Sequence, residues 1–491
     1  MGVYAAIIIV IGWLGYKRTK SRDDFFVAGR SVGLFAGAAA FGSAFVSASS
    51  MLAFTGFAYV YGWSIFPARL LAFGVGWSVL MIVGGWFRQL GKVSLIDFLT
   101  SRYYDGKVVR VWAAIAILSI QVVSLVVQFM GIGKVFNQIT GLSYAASVVI
   151  VGILVILYVC MGGMKAVVWT DVFQYIIFFA AACTIAMFCY ANAGWVDSIN
   201  SIIAGVVSPK NPVPGGMLNW NAGLGAWTII GLAVSVATQI PSTPNYIQLA
   251  SSTKDPRTSR LMFALGSLLT TGFYVALFYS GIASRAIIGG VPSVIADPDT
   301  VMLYMLRNLF PPVLAGFVLS AMAAAIMSTV DVVLLSAGTT LSHDIYSNLI
   351  NPNATESQSI KVATIGTMVV GGLAILGAAG RLFDMFWLGT FSAALYGASF
   401  FFPIILGFCW PRATKEGMIA SSVGGWAVTV LATVFKQQWL AMSGGIPEYF
   451  PGLAVAIVLL VAVSLLTPEP PERVLKEFFP QKLSRRNVAS A

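Results

Sequence analysis

Residues Ala237–Gln248 read ATQIPSTPNYIQ, with Pro241 and Pro244 three positions apart inside the apolar stretch 225–249. A proline in a helix removes an amide donor and clashes with the preceding turn, so it frees backbone carbonyls. Earlier in the chain, Ala40–Met51 read AFGSAFVSASSM, where small and hydroxyl residues stand in place of bulky ones. Non-helical backbone at membrane depth is tolerated only where it is buried in protein or lines a cavity. Close helix packing is the plainer reading of a Gly/Ser-rich face. The two stretches lead apolar spans five apart, however, which points to paired inverted repeats opened by discontinuous helices, with a binding site at the midplane.

Composition places these stretches in a bilayer. Of 491 residues, 58% are hydrophobic and 10% charged, against roughly 25% charged in soluble domains. Apolar runs able to cross a core about 30 Å thick number thirteen: 3–16, 32–60, 62–86, 109–137, 144–162, 167–192, 225–249, 261–285, 308–338, 360–379, 383–409, 417–436 and 450–467. Backbone polar groups must be satisfied internally there, so the runs are expected to be helices and the fold all-α. The first run is short enough to resemble a signal-peptide core. No basic region precedes it and KRTKSR follows, so it reads as a retained first span.

Charge placement sets the expected orientation. Twenty of the 29 lysines and arginines lie in loops after odd-numbered spans or in the tail, and only Lys210, Arg307 and Arg381 in loops after even-numbered spans. The positive-inside rule then puts the amino terminus outside and the carboxyl terminus in the cytoplasm of a multi-pass plasma-membrane protein. It also accounts for the net charge of +11 without nucleic acid. The four cysteines fall in apolar segments and read as small buried hydrophobes. The single histidine, His343, falls in a loop, leaving few ligands for zinc or haem and no base for an intramembrane enzyme. No cofactor is expected.

Span 9 carries the second decisive stretch, SAMAAAIMSTVDVVLLSAG, residues 320–338. Ala325, Ser328 and Thr329 follow an i, i+3, i+4 spacing and share one helical face. Two hydroxyls and a carbonyl there, facing carbonyls freed by the break in span 2, make an oxygen set for a hard cation such as Na⁺. The alternative is that both hydroxyls bond back to the preceding turn. Asp331 is not explained that way: a carboxylate inside a membrane span is a functional-site candidate. It could serve a second cation or carry a proton.

Four stretches together resemble the sodium:solute symporter family: DDFFVAGRSVG (Asp23–Gly33), GGMKAVVWTDVFQ (Gly162–Gln174), AAAIMSTVDVVLLSAGTTLSHDIY (Ala323–Tyr346) and FCWPRATKEG (Phe408–Gly417). The likeness runs in order over almost the whole chain and is closest in character to monocarboxylate-, acetate- and pantothenate-type members. It implies a LeuT-type fold of two inverted five-helix repeats, 32–192 and 225–409. One extra helix (3–16) precedes them, two (417–467) follow, and a cytoplasmic tail (468–491) closes the chain. It implies Na⁺ as coupling ion, held by backbone oxygens of Ser43, Val46 and Ala325 and hydroxyls of Ser328 and Thr329. Members with a second sodium use the aspartate of the WTD motif, here Asp171. This chain departs by placing Asp331 where a small residue is usual and Val332 where a hydroxyl is needed, so two nearby carboxylates could instead share one proton.

The solute is read from span 3 and its neighbours. Arg69, in GWSIFPARLLAFG, lies inside an apolar run where sugar-carrying members have an acidic contact. A forked guanidinium at that depth suits a small carboxylate; a structural arginine paired with an aspartate or helix carbonyls is the alternative. Gln128, in VQFMGIGKVFNQITGLSY, is expected to point its amide at the cavity, and Ser50, Ser124, Thr243, Asn245, Trp387 and Thr390 are further candidates. The expected activity is sodium-coupled symport of a small organic solute by alternating access. Proton coupling through Asp171 or Asp331 is the mechanistic alternative. A transporter-like membrane sensor is the alternative of another class, disfavoured by a tail too short for a signalling domain.

Overall fold

The computed structural model describes residues 7–8, 10–12, 14–15, 17, 19, 21–206, 215–220, 224–289, 297–381 and 384–479. Among them there is no β-strand, only an isolated bridge between Val32 and Thr253. The helices follow the apolar runs closely. Spans 3, 4 and 8 are the helices Ile65–Leu90, Val108–Thr140 and Pro256–Ile288. Spans 9 and 10 are Pro312–Thr339 and Glu356–Ala379, and the last two are Lys415–Val434 and Tyr449–Leu466. Nine described helical stretches are long and apolar enough to cross a bilayer unaided. The expected count of thirteen is not recovered by that measure, for physical reasons. Spans 2 and 7 are broken into short pieces, and half of the positions of span 1 (3–16) fall outside the described residues. Spans 5 and 6 run on as Tyr144–Ala193 through Gly163, whose φ of 60° only glycine adopts without strain.

Both breaks fall where the small, hydroxyl and proline residues predict them. Span 2 is helical over Leu34–Phe45, turns extended at Val46 (φ −80°, ψ 122°), and resumes as a wide-turn segment, Ser49–Phe54, and the helix Thr55–Tyr61. Span 7 is helical over Ala226–Gln239, passes a tight turn at Ile240–Ser242 and extended backbone at Thr243, and resumes over Pro244–Ser251. Pro244 opens the second half, where a missing N–H costs nothing.

Span 9 lies at the centre, packed against spans 2, 4, 5 and 6, and Ala321–Ala325 are buried without exception. Small residues let the backbones close on span 2. A methyl at Gly131 would meet the Ala48 side chain at 2.3 Å, and one at Gly266 would meet the Ala38 carbonyl at 2.9 Å. Without a hydrophobic drive between helices in lipid, such close approach is a main source of association.

Ion pairs sit at the two ends of the bundle. At one end, Lys134 of span 4 reaches Asp299 at 2.6 Å and Asp297 at 2.9 Å, both on the connector between spans 8 and 9. That connector continues as the helix Val301–Asn308 and lies on span 2 so closely that a methyl at Gly56 would strike the Pro298 carbonyl. Burial raises the Asp299 carboxyl to about 6, even against the Lys134 ammonium. At the other end, Arg110 contacts Asp97 at 3.1 Å and Asp344 at 3.2 Å, and His343 Nε2 lies 2.8 Å from Asp97. His343 is thus not a loop residue: it sits on Thr340–Ile350, the helical continuation of span 9. Asp97, His343 and Asp344 are near enough together to ligate a metal, yet the Arg110 guanidinium already lies among them, so they form an ion-pair network. Burial pushes the Asp97 carboxyl up, but the His343 hydrogen bond and Arg110 outweigh it and hold it at about 2.

Candidate functional site

The five oxygens named for the sodium ion come together at the break in span 2. Ser328 Oγ lies 3.1 Å from the Ser43 carbonyl and 2.9 Å from that of Ala325. Thr329 Oγ1 lies 2.7 Å from the Val46 carbonyl and 3.4 Å from that of Ala325. The hydroxyls do bond back to their own turn, but both also reach across to span 2. Extended backbone at Val46 is what turns its carbonyl out of the helical ladder and toward span 9. Ser43 and Ser328 are fully buried and Thr329 nearly so. The corner therefore offers carbonyl and hydroxyl oxygens.

Asp171 and Asp331 are buried beside this corner, on spans 6 and 9. The two carboxylates are close enough to interact electrostatically, and the Ser43 side chain lies next to Asp171. Asp171 Oδ1 has no hydrogen-bond partner among the described residues. Ser43 thus belongs to both places, through its carbonyl to the five-oxygen corner and through its side chain to the carboxylate pair.

A polar cavity opens from Thr329 toward spans 3, 4, 7, 8 and 11. Seven of the eight solute-contact candidates line it: Arg69, Ser50, Ser124, Gln128, Thr243, Asn245 and Thr390. Trp387 does not. It packs against Phe57 and its ring takes the Lys436 ammonium at 4.8 Å. Helix phase explains this, since Phe386, Gly389, Thr390 and Ala393 share the cavity face and residue 387 is turned about 100° away. Phe386 is in the wall, stacked on Phe57 at 4.0 Å between ring centroids.

Arg69 is half-buried in this wall. Its guanidinium carbon lies 5.4 Å from the Phe54 ring centroid and 6.0 Å from that of Phe386, a cation–π setting. No carboxylate or carbonyl pairs with it among the described residues, so the structural-arginine reading loses its expected partner. Sequence reading missed the tyrosines: Tyr246, Tyr274 and Tyr396 all line the cavity, and the Tyr274 hydroxyl bonds Ser50 Oγ at 2.5 Å. Tyrosines on three different spans give no local pattern, so no motif could have flagged them.

A broken-helix bundle with an oxygen-lined corner and an adjoining polar cavity defines a solute transporter. Its family follows from comparison. The family model for the sodium:solute symporter family matches residues 25–425, and the chain belongs to that family. Among solved structures, a Na⁺-coupled sialic acid symporter in a substrate-bound outward-open state aligns over 95% of this chain and 96% of its own, at 20% identity and a TM-score of 0.80. A nucleobase-cation-symport-1 family transporter with bromovinylhydantoin bound covers 94% of this chain and 97% of its own, at 14% identity and a TM-score of 0.56. MhsT in complex with L-phenylalanine covers 87% and 98%, at 14% identity and a TM-score of 0.57. These likenesses establish the all-helical LeuT-type fold. The chain is therefore a multi-pass membrane transporter of the sodium-coupled symport class, with Na⁺ as coupling ion, and not an enzyme.

Proposed function

We propose that the chain couples inward Na⁺ flow to the uptake of a small organic carboxylate. The observation that carries the reading is the convergence of the Ser43, Val46 and Ala325 carbonyls with the Ser328 and Thr329 hydroxyls at the break in span 2. Na⁺ held there by backbone and hydroxyl oxygens bridges spans 2 and 9 and stabilises the broken helix. The solute site then adjoins a preorganised wall, and ion and solute favour each other reciprocally. Arg69, without an ion-pair partner among the described residues and set in a wall that otherwise offers hydroxyls, amides and aromatic rings, supports an anion. Its planar fork matches a carboxylate bidentately. Asn245, Ser124 and the Tyr274 hydroxyl complete a polar lining for the rest of a small solute.

The repeats are proposed at 32–192 and 225–409, with 3–16 before them, 417–467 after and 468–491 as tail. The basic loops favour a plasma membrane orientation with the amino terminus outside. The buried Asp171–Asp331 pair favours a second reading of the coupling, in which one proton or a further cation is carried beside the first ion.

Uptake of labelled acetate, lactate, pyruvate and larger monocarboxylates into proteoliposomes tests the proposal, with an inward sodium gradient, with an inward proton gradient, and with neither. Uptake of at least one acid that requires sodium is expected. Uptake of neutral sugars alone would overturn the carboxylate, and uptake driven by the proton gradient in sodium-free buffer would transfer the coupling to the aspartate pair.

A further inference from the structure

Span 4 sends one side chain to the break itself. Gln128 Oε1 lies 2.9 Å from the backbone nitrogen of Ala48, the first residue to resume helical backbone after extended Val46. A backbone N–H can only donate, so the atom facing it is the carbonyl oxygen of the amide whatever the labels of O and N. Two consequences follow from that one contact.

The first concerns the ion. The break leaves the Ala48 N–H without a ladder partner, and burial makes an unmet amide costly. Gln128 is itself buried, and meets that need. It thereby fixes the peptide two residues beyond Val46, whose carbonyl faces Thr329 at 2.7 Å. Gly131, one turn further along span 4, has no side chain, and its backbone rides against Ala48 so closely that a methyl would collide at 2.3 Å. The distance between span 4 and the break is therefore set by packing, and a side chain one carbon shorter than glutamine falls short of Ala48.

The second concerns the solute. One lone pair of the Gln128 oxygen is engaged by Ala48, which leaves the two N–H donors of its amide nitrogen as the unengaged end of a residue that lines the cavity. Arg69 on span 3 presents donors only. A carboxylate accepts and cannot donate, so the Gln128 N–H groups and the Arg69 guanidinium both match it.

We propose that Gln128 is the residue that transmits between solute and ion: its amide nitrogen binds the solute while its amide oxygen holds the break that shapes the sodium corner. The ion half stands without the carboxylate; the donor half rests on the solute reading above. Occupying the cavity braces Gln128, bracing Gln128 fixes Ala48, and fixing Ala48 aims the Val46 carbonyl. By linkage the same path runs backward from ion to solute. Gln128 is a positioning residue for the ion and a contact for the solute.

Two substitutions separate the halves, read first with sodium alone. Purified protein is heated across a series of sodium concentrations, with choline replacing sodium, and the concentration giving half-maximal thermal stabilisation is recorded. Gln128→Asn keeps the chemistry but cannot reach Ala48, and is expected to raise that concentration about tenfold. Gln128→Glu keeps an acceptor on Ala48 and is expected to stay within about twofold of the parent chain. A parent-like sodium curve for Gln128→Asn overturns the proposal, as does an equal loss in Gln128→Glu, which would mean general disruption of span 4. Should Gln128→Asn fail to fold, Gln128→Met, of similar length and without an acceptor, takes its place with the same expectation.

The donor half is read on whichever of acetate, lactate and pyruvate the parent chain takes up. Gln128→Glu, with its sodium curve intact, is expected to raise the KM at least about tenfold, because a carboxylate now faces a carboxylate. An unchanged KM overturns that half. If no acid is taken up at all, the carboxylate reading fails while the sodium series still decides the path from Gln128 to the ion.

Discussion

The five-oxygen corner and the cavity beside it are built on different principles. The corner is buried and largely made of backbone: three of its five oxygens are carbonyls, those of Ser43 and Val46 set by the break in span 2 and that of Ala325 on the unbroken helix of span 9. The cavity is polar and made of side chains drawn from spans 2, 3, 4, 7, 8, 9 and 11. The first offers only hydroxyl and carbonyl oxygens, a set suited to a hard cation. The second can be re-lined one residue at a time without touching the backbone. A family that runs many solutes on one ion needs this division of labour.

Substitutions can break that contrast, and the largest effect belongs to the cavity. Arg69→Ala is expected to raise the KM for the transported acid about 100-fold, the cost of removing a charge-assisted partner, while sodium stabilisation stays as in the parent chain. Uptake kinetics and sodium-dependent melting on the same preparation check both halves. Retained affinity for the acid would return Arg69 to a packing role against Phe54.

Next come Ser328→Ala and Thr329→Ala. Each removes one oxygen of the corner and is expected to raise the sodium concentration for half-maximal uptake about tenfold, with a smaller change in solute KM at saturating sodium. Sodium curves unchanged in both variants would leave the corner a packing motif. A subtler sharpening is Asp331→Asn. On the second reading it removes the dependence of uptake on a proton gradient at fixed sodium and moves the sodium half-saturation only about threefold. Equal uptake with and without that gradient in the parent chain would assign the aspartate pair to structure or to a second cation.

The smallest effect lies outside both regions. Asp299 holds its proton up to about 6 in the folded protein, against an ordinary value near 4. The folded state thus binds the proton more tightly than the unfolded chain. Its contribution to stability is present below pH 4, is lost as pH rises through 6, and is flat above. Melting temperature followed between pH 4 and 7 should lose part of its slope in Asp299→Asn.

The same contrast decides how much the sequence disclosed. Ala325, Ser328 and Thr329 are neighbours on one face, and the break opposite them is written in small residues, so the corner could be read from two short stretches. Asp331 stood out because a carboxylate in an apolar run is rare, whereas Asp171 was flagged only through the WTD motif of the family the chain resembles. The cavity needs a helix phase for each span it borrows from, and an error of one position moves a side chain by about 100°. That error put Trp387 in the wall in place of Phe386. Gln128 was recognised as facing the cavity, but nothing local to span 4 announces that its oxygen is taken by an amide 80 positions earlier. Spans 2 and 7 were legible as interrupted; how many helices would satisfy a length criterion was not, because interruption shortens the pieces.

The Lys134 clasp has a consequence for a protein coupled to sodium. Its ammonium and the Asp299 carboxylate are 5% and 7% exposed, whereas the Lys476–Glu472 pair near the carboxyl end is 65% and 67% exposed. Mobile ions weaken the second kind of pair and scarcely reach the first. The strap over span 2 should therefore grip equally in dilute and concentrated media, so the salt that drives the cycle does not also loosen the machine.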